Sequence, residues 1–189
     1  MTLRFTKAIS LAARANEAQM REGTLIPHKT RPVAVAGLVA QFGGDEDQQI
    51  AGLLHDVLEY GGRQYAAEIE REFGPRVLTL VEGCTDAIPD ATSQKQSWAE
   101  RKQAYLVHLA GADADVLLVS GCDKLSNASA ILNDVETIGP AVFNRSNEKN
   151  DGTLWYYTEL ANIFTEANAP MSRQLALTVS KIRELTEKA

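Results

Sequence analysis

Leu53-Leu54-His55-Asp56-Val57-Leu58-Glu59 decides how this chain is read. Adjacent histidine and aspartate inside an apolar stretch are unusual, because buried ionisable groups are costly unless paired or bound to a metal. On a helix, neighbours sit about 100° apart, so His55 and Asp56 can grip one ion from two sides. Glu59 lies one turn after His55 and faces the same way. A second acidic knot, Cys122-Asp123-Lys124-Leu125-Ser126-Asn127, closes the site from a separate predicted helix. That helix is expected to be central, since Val116, Leu117, Leu118 and Val119 make it apolar all round. Asp123 and Asn127 stand one turn apart on one face, a spacing at which a ligand and a hydrogen-bonding neighbour act together. Plainer arrangements stay open on the sequence. His55 and Asp56 are then a core histidine and a helix-surface aspartate, and Asp123 pairs with Lys124 or with a distant arginine.

Working outward, helical spacing recurs almost everywhere. Thr6–Met20 carries Ala8, Ile9, Leu11, Ala12, Ala15 and Ala18 on one face. Gly23-Thr24-Leu25-Ile26-Pro27 breaks it. Pro32 suits the first turn of a second helix. Gly43-Gly44 stops that helix, and Asp45 is a natural N-cap for the next, which holds the His-Asp pair and ends at Gly61-Gly62. Ala66–Phe73 ends at Gly74, and Pro75 opens Pro75–Thr85. A loop over Asp86–Ser97 precedes Trp98–Leu109, Asp115–Val135, Gly152–Phe164 and Met171–Thr186. No stretch alternates convincingly as a strand, and no linker or repeat divides the chain. The expectation is an all-α, single-domain helical bundle spanning residues 1–189.

Bulk properties narrow the function. At 189 residues and 44% hydrophobic, the chain can build one sizeable core but not two comfortable domains. A net charge of −6 and a pI near 5.1 argue against broad nucleic-acid binding or adhesion to anionic membranes, while a local basic pocket can still take an anion. Cys84 and Cys122 lie far apart without CxxC spacing, as reduced core residues rather than a disulfide or zinc site. The sequence opens on the amphipathic stretch Phe5–Ala18 with no signal-peptide pattern, and no run approaches the ~18 apolar residues of a membrane span. A cytoplasmic protein is expected. The oligomeric state is not written in the sequence.

The ordered set of motifs resembles one family. Gly23-Thr24 with Pro27, Gly52–Glu59, Phe73-Gly74-Pro75-Arg76-Val77, Val81–Asp86, Glu100-Arg101-Lys102, Asp123-Lys124-Leu125 with Asn127, and Leu154-Trp155-Tyr156-Tyr157 recur in this order in small alarmone hydrolases. These are relatives of the hydrolase half of the RelA/SpoT enzymes, within the HD superfamily. The resemblance covers roughly residues 5–165. It implies an HD-type bundle and a manganese-dependent hydrolase that removes pyrophosphate from the 3′ position of (p)ppGpp-like guanosine polyphosphates, with adenosine analogues as substrates of some relatives. It also implies His55, Asp56 and Asp123 as metal ligands, and Glu59 as the acid that orients or deprotonates the attacking water. Asn127 and Arg21 match nucleotide contacts, Arg21 against the purine. Lys124 joins Arg21, Lys29 and Arg31 among the basic residues that could serve a polyphosphate.

The departures carry as much information. The family's first metal-binding histidine falls at Arg31, and the acid after Glu59 is replaced by Tyr60. Glu22, Ser126 and Ser129 replace residues that are commonly lysine, histidine and basic. His28 lies three residues before Arg31 and offers a substitute ligand, or a surface or base contact. His108 has no matching partner and is expected to be structural or solvent-facing. Two classes follow: a metal-dependent nucleotide pyrophosphohydrolase with an altered site, or a relative that binds a nucleotide or protein without hydrolysis. Arg31 is expected either to pair with Asp56 or Asp123 in place of the ion, or to swing outward toward substrate phosphate.

Overall fold

The computed structural model describes residues 2–15, 30–85, 97–145 and 149–187. Its helices are α1 (Leu3–Ala15), α2 (Thr30–Gln41), α3 (Glu46–Leu54), α4 (Val57–Gly61), α5 (Ala66–Phe73), α6 (Pro75–Cys84), α7 (Trp98–Ala110), α8 (Ala114–Ile138), α9 (Lys149–Glu166) and α10 (Ser172–Glu187). Short 3₁₀ turns cover Arg63–Tyr65 and Pro140–Arg145. No strand occurs among the described residues. Helix α8 is the axis, packing against α2, α3, α6, α9 and α10. The run expected to be apolar all round, Val116–Val119, is buried, and the burial continues through Ser120, Gly121, Cys122 and Asp123. Leucines 53, 54, 58, 109, 125, 160 and 175 fill one contiguous core with Phe164, Ile50 and Met171.

Punctuation residues act as expected. Gly62 and Gly74 both hold positive φ, 85° and 94°, where a side chain would be strained, and Pro75 opens α6 directly after the second. The latter part of the expected first helix and the Gly23–Pro27 break lie outside the described residues. One helix differs from expectation. The stretch from Asp45 to Gly61 is not continuous: α3 stops at Leu54 and α4 begins at Val57. Asp56 occupies φ −91°, ψ −6°, at the edge of helical space. A straight helix aims consecutive side chains about 100° apart. His55, at this interruption, brings its Nε2 near both Asp56 and Asp123 of α8.

Helices α3, α6 and α8 are joined at one end by charge. Asp45 caps α3 in a reciprocal box with Gln48, and Gln48 also donates to Asp115 at 3.1 Å. Arg76 at the start of α6 reaches Asp45 and Asp115 at 2.7 Å each, and Asp47 at 3.4 Å. Close packing does the rest: a Cβ on Gly52 would stand 3.3 Å from the Ala36 backbone, so this glycine seats α2 on α3.

The capping box should make Asp45→Ala cost about 1–2 kcal/mol in urea unfolding. Partial burial raises the Asp45 pKa, but hydrogen bonds from Gln48 and Arg76 bring it below its ordinary value. Its contribution is therefore complete above about pH 5 and fades as the pH falls through the lowered pKa. Equal stability loss in Asp45→Ala at pH 7 and at pH 2 would contradict this.

Candidate active site

His55 closes α3 with its ring fully inside the protein. Its Nδ1 lies 2.9 Å from the Gly52 carbonyl oxygen. A carbonyl only accepts, so Nδ1 must carry a hydrogen, and in neutral imidazole the lone pair then sits on Nε2. That atom stands 3.2 Å from Asp56 Oδ2 and 3.2 Å from Asp123 Oδ1, yet hydrogen-bonds to no described group. A ring nitrogen oriented by a backbone carbonyl and pointed between two carboxylates is the setting of a metal-binding histidine. Without an ion, the proton competes for the same atom. Burial alone would lower the His55 pKa, but the charges of Asp56 and Asp123 outweigh it and push it up to about 10.

Asp123 is the crowded member. Its Oδ2 accepts from Lys124 Nζ at 2.7 Å. Its Oδ1 accepts from Asn127 Nδ2 at 3.0 Å and from Arg31 Nη2 at 3.3 Å, the same oxygen that His55 approaches. Burial would raise its pKa, and Lys124, His55 and Arg31 instead hold it well below the usual carboxylate range. Burial would likewise lower the Lys124 pKa, and Asp123 instead raises it. The Lys124 ammonium also lies 5.0 Å from the Tyr105 ring centroid, a cation–π contact that keeps it inside. Arg31, in the first turn of α2, is raised in the same manner: burial opposes, Asp123 and Asp56 win.

The sequence-predicted residues thus divide into three groups. His55, Asp56, Asp123, Asn127 and Lys124 come together, and Arg31 takes the arm toward Asp123 that was one of its two expected courses. Both Lys124 and Asn127, expected to serve substrate, are turned onto Asp123. Glu59 is half-buried on α4 and Tyr60 beside it is exposed. Arg21, His28 and Lys29 lie outside the described residues. His108 is exposed, with Nε2 3.0 Å from the Gly83 carbonyl oxygen, and has a structural part as expected. The Gly52 carbonyl that orients His55 was not foreseen; no side chain marks it in the sequence.

The donor set fits a divalent ion in kind. One imidazole nitrogen and two carboxylates are mixed N/O ligands of the sort manganese takes. The charge balance opposes it. Arg31 and Lys124 both bring their charge to Asp123, and a guanidinium and a divalent ion sharing that carboxylate would repel each other. Among the described residues, no three His, Cys, Asp or Glu side chains form a ready-made metal cage. The donors are present, and Arg31 stands in the way.

A bundle that sets a His-Asp step, at the junction of two short helices, against an aspartate on its central helix is an HD-type arrangement. The chain belongs to the HD domain family, which its residues 8–162 match. It is 37% identical over 111 residues to a probable guanosine-3′,5′-bis(diphosphate) 3′-pyrophosphohydrolase of Synechocystis, covering 58% of this chain and 14% of that protein. A guanosine-3′,5′-bis(diphosphate) 3′-pyrophosphohydrolase of Aquifex aeolicus is 33% identical over 119 residues, 63% of this chain and 16% of its own length. The chain therefore spans only a small part of these relatives. A solved structure of a metazoan ortholog of SpoT that hydrolyses ppGpp shares the fold, with a TM-score of 0.72 at 24% identity over 96% of this chain and 94% of that one.

Asp123→Asn should lower the unfolding free energy by about 3–5 kcal/mol in chelator, because it leaves the Arg31 and Lys124 charges buried without their shared anion. In a cluster of carboxylates awaiting a cation, the same change relieves repulsion and stabilises. Urea denaturation in EDTA distinguishes the two by sign.

Proposed function

We propose that the chain is a nucleotide pyrophosphohydrolase of the (p)ppGpp type whose cation site is altered by Arg31. The convergence of His55 Nε2 on Asp56 and Asp123 at 3.2 Å each supports this reading above all else. His55, Asp56 and Asp123 would hold manganese, supplying an acidified water and a polarised phosphoryl oxygen. Lys124 and Asn127 keep Asp123 ionised and fix its direction. Gly52 keeps the His55 lone pair inward. Glu59, one turn beyond His55, takes the proton of the attacking water and returns it to the 3′ oxygen as the O3′–P bond breaks, releasing pyrophosphate. Arg21 is the proposed purine contact. Guanosine polyphosphates are the primary substrate class, adenosine equivalents the alternative. No described helix is long and apolar enough to cross a membrane, and two buried free thiols accord with a cytoplasmic setting.

Turnover of a 3′-pyrophosphorylated guanosine nucleotide should require added manganese. It should fall by about 100-fold or more in Asp56→Asn and in Glu59→Gln. Undiminished pyrophosphate release in either variant places the chemistry elsewhere. The contact between Arg31 Nη2 and Asp123 favours a second reading, in which the nucleotide binds without hydrolysis. Calorimetric binding with no pyrophosphate released at any manganese concentration would establish it.

A further inference from the structure

Arg31 is poorly satisfied for a residue so deeply placed. Guanidinium carries five N–H donors in a planar fork. Its Nε is shut off from solvent and finds no hydrogen-bond partner among the described residues. Its bond to Asp123 is made through Nη2 at 3.3 Å, longer than those of Lys124 at 2.7 Å and Asn127 at 3.0 Å to the same carboxylate. It is also the outermost of the group: its side chain keeps 25% of its exposure, against 5% for Asp123 and 12% for Lys124. A ligand arriving from solvent meets Arg31 before it meets the carboxylate. Planar forks bind phosphoryl oxygens bidentately, and among the described residues Asp123 engages only the Nη2 end of this one.

The oxygen that Arg31 holds matters equally. Asp123 Oδ1 is the atom that His55 Nε2 approaches at 3.2 Å, whereas Oδ2 belongs to Lys124. A cation sharing His55 and Asp123 needs Oδ1, and it needs the guanidinium to leave. Arg31 therefore links two ligands of opposite charge.

We infer that the Arg31 guanidinium is an oxyanion subsite, drawn off Asp123 by a nucleotide phosphoryl group, so that nucleotide and divalent cation bind this centre together and only weakly apart. This deepens the pyrophosphohydrolase reading and rests on it. An ion alone meets Arg31 in place. An anion alone must pull Arg31 from its carboxylate and leave Asp123 with one cation fewer, beside Lys124. With both present, Arg31 pairs with phosphate and Asp123 with the cation. Coupling of this kind is reciprocal, each ligand raising the other's affinity by one common factor.

The test uses the whole chain, manganese, and guanosine 3′,5′-bisphosphate as the probe. Free manganese is followed by its electron paramagnetic resonance signal, with a protein-free titration correcting for chelation by the nucleotide itself. In the wild-type protein the bisphosphate should tighten manganese binding by about tenfold or more. In Arg31→His manganese should bind well alone, and the bisphosphate should add only the smaller gain that comes from its phosphates touching the ion. If Arg31→His folds poorly, Arg31→Gln, which deletes the charge at similar volume, serves the same comparison. Calorimetry of the bisphosphate with and without manganese must return the same coupling factor. Binding of the two ligands independently in the wild type, or with an equal factor in wild type and variant, overturns the inference alone. If neither protein takes up manganese or nucleotide, the pyrophosphohydrolase reading itself falls, and the inference with it.

Discussion

Asp123 is a single carboxylate buried in the longest helix of the bundle, and the surrounding side chains are arranged to keep it charged there. An ionised carboxylate in such a place is untenable without compensation. Here the compensation comes from α8 itself, through Lys124 and Asn127, from α3 through His55, and from α2 through Arg31. Each donor belongs to an element whose packing brings it within reach. Gly52 allows α2 to lie close on α3, and His55, at the break after Leu54, reaches Asp123 on α8. The site is therefore a consequence of the core, not an addition to its surface.

Two features pull the centre in different directions. His55 leaves one ring nitrogen for a proton or a cation: Nδ1 faces the Gly52 carbonyl, and Nε2 faces two carboxylates. Arg31 brings a permanent charge to the same place. A histidine at that position can lend a lone pair to a metal, whereas guanidinium has none to lend. Family membership fixes the fold, and the chemistry proposed for this centre depends on which of these two residues governs Asp123.

Much of this was legible in the sequence because local rules dominate it. Asp45 as a cap, Gly62 and Gly74 as stops, Pro75 as a start and Val116–Val119 as a central helix all follow from backbone preferences or burial that a few residues determine. The meeting of His55 and Asp56 with Asp123 was expected from their apolar helical setting together with the family resemblance, with plainer pairings left open by the residues themselves. The interruption at His55 and Asp56 was not, since neither residue breaks helices by propensity. For Lys124 and Arg31 the sequence offered both a buried carboxylate and substrate phosphate, because long flexible cations follow the nearest anion.

The charged brace around Arg76 has a bearing on how such a centre can move. Asp115 and Asp123 are eight positions apart on α8, about 12 Å along its axis. Near the first, Arg76 and Gln48 hold the start of α3 to α8; near the second, the end of α3 meets α8 through His55. Two attachments at separate heights oppose sliding and pivoting between these helices and favour a constant spacing of His55 and Asp123. Adjustment to an arriving ligand is left to the parts outside that double clamp: the side chain of Arg31 and the short helix that carries Glu59 and Tyr60.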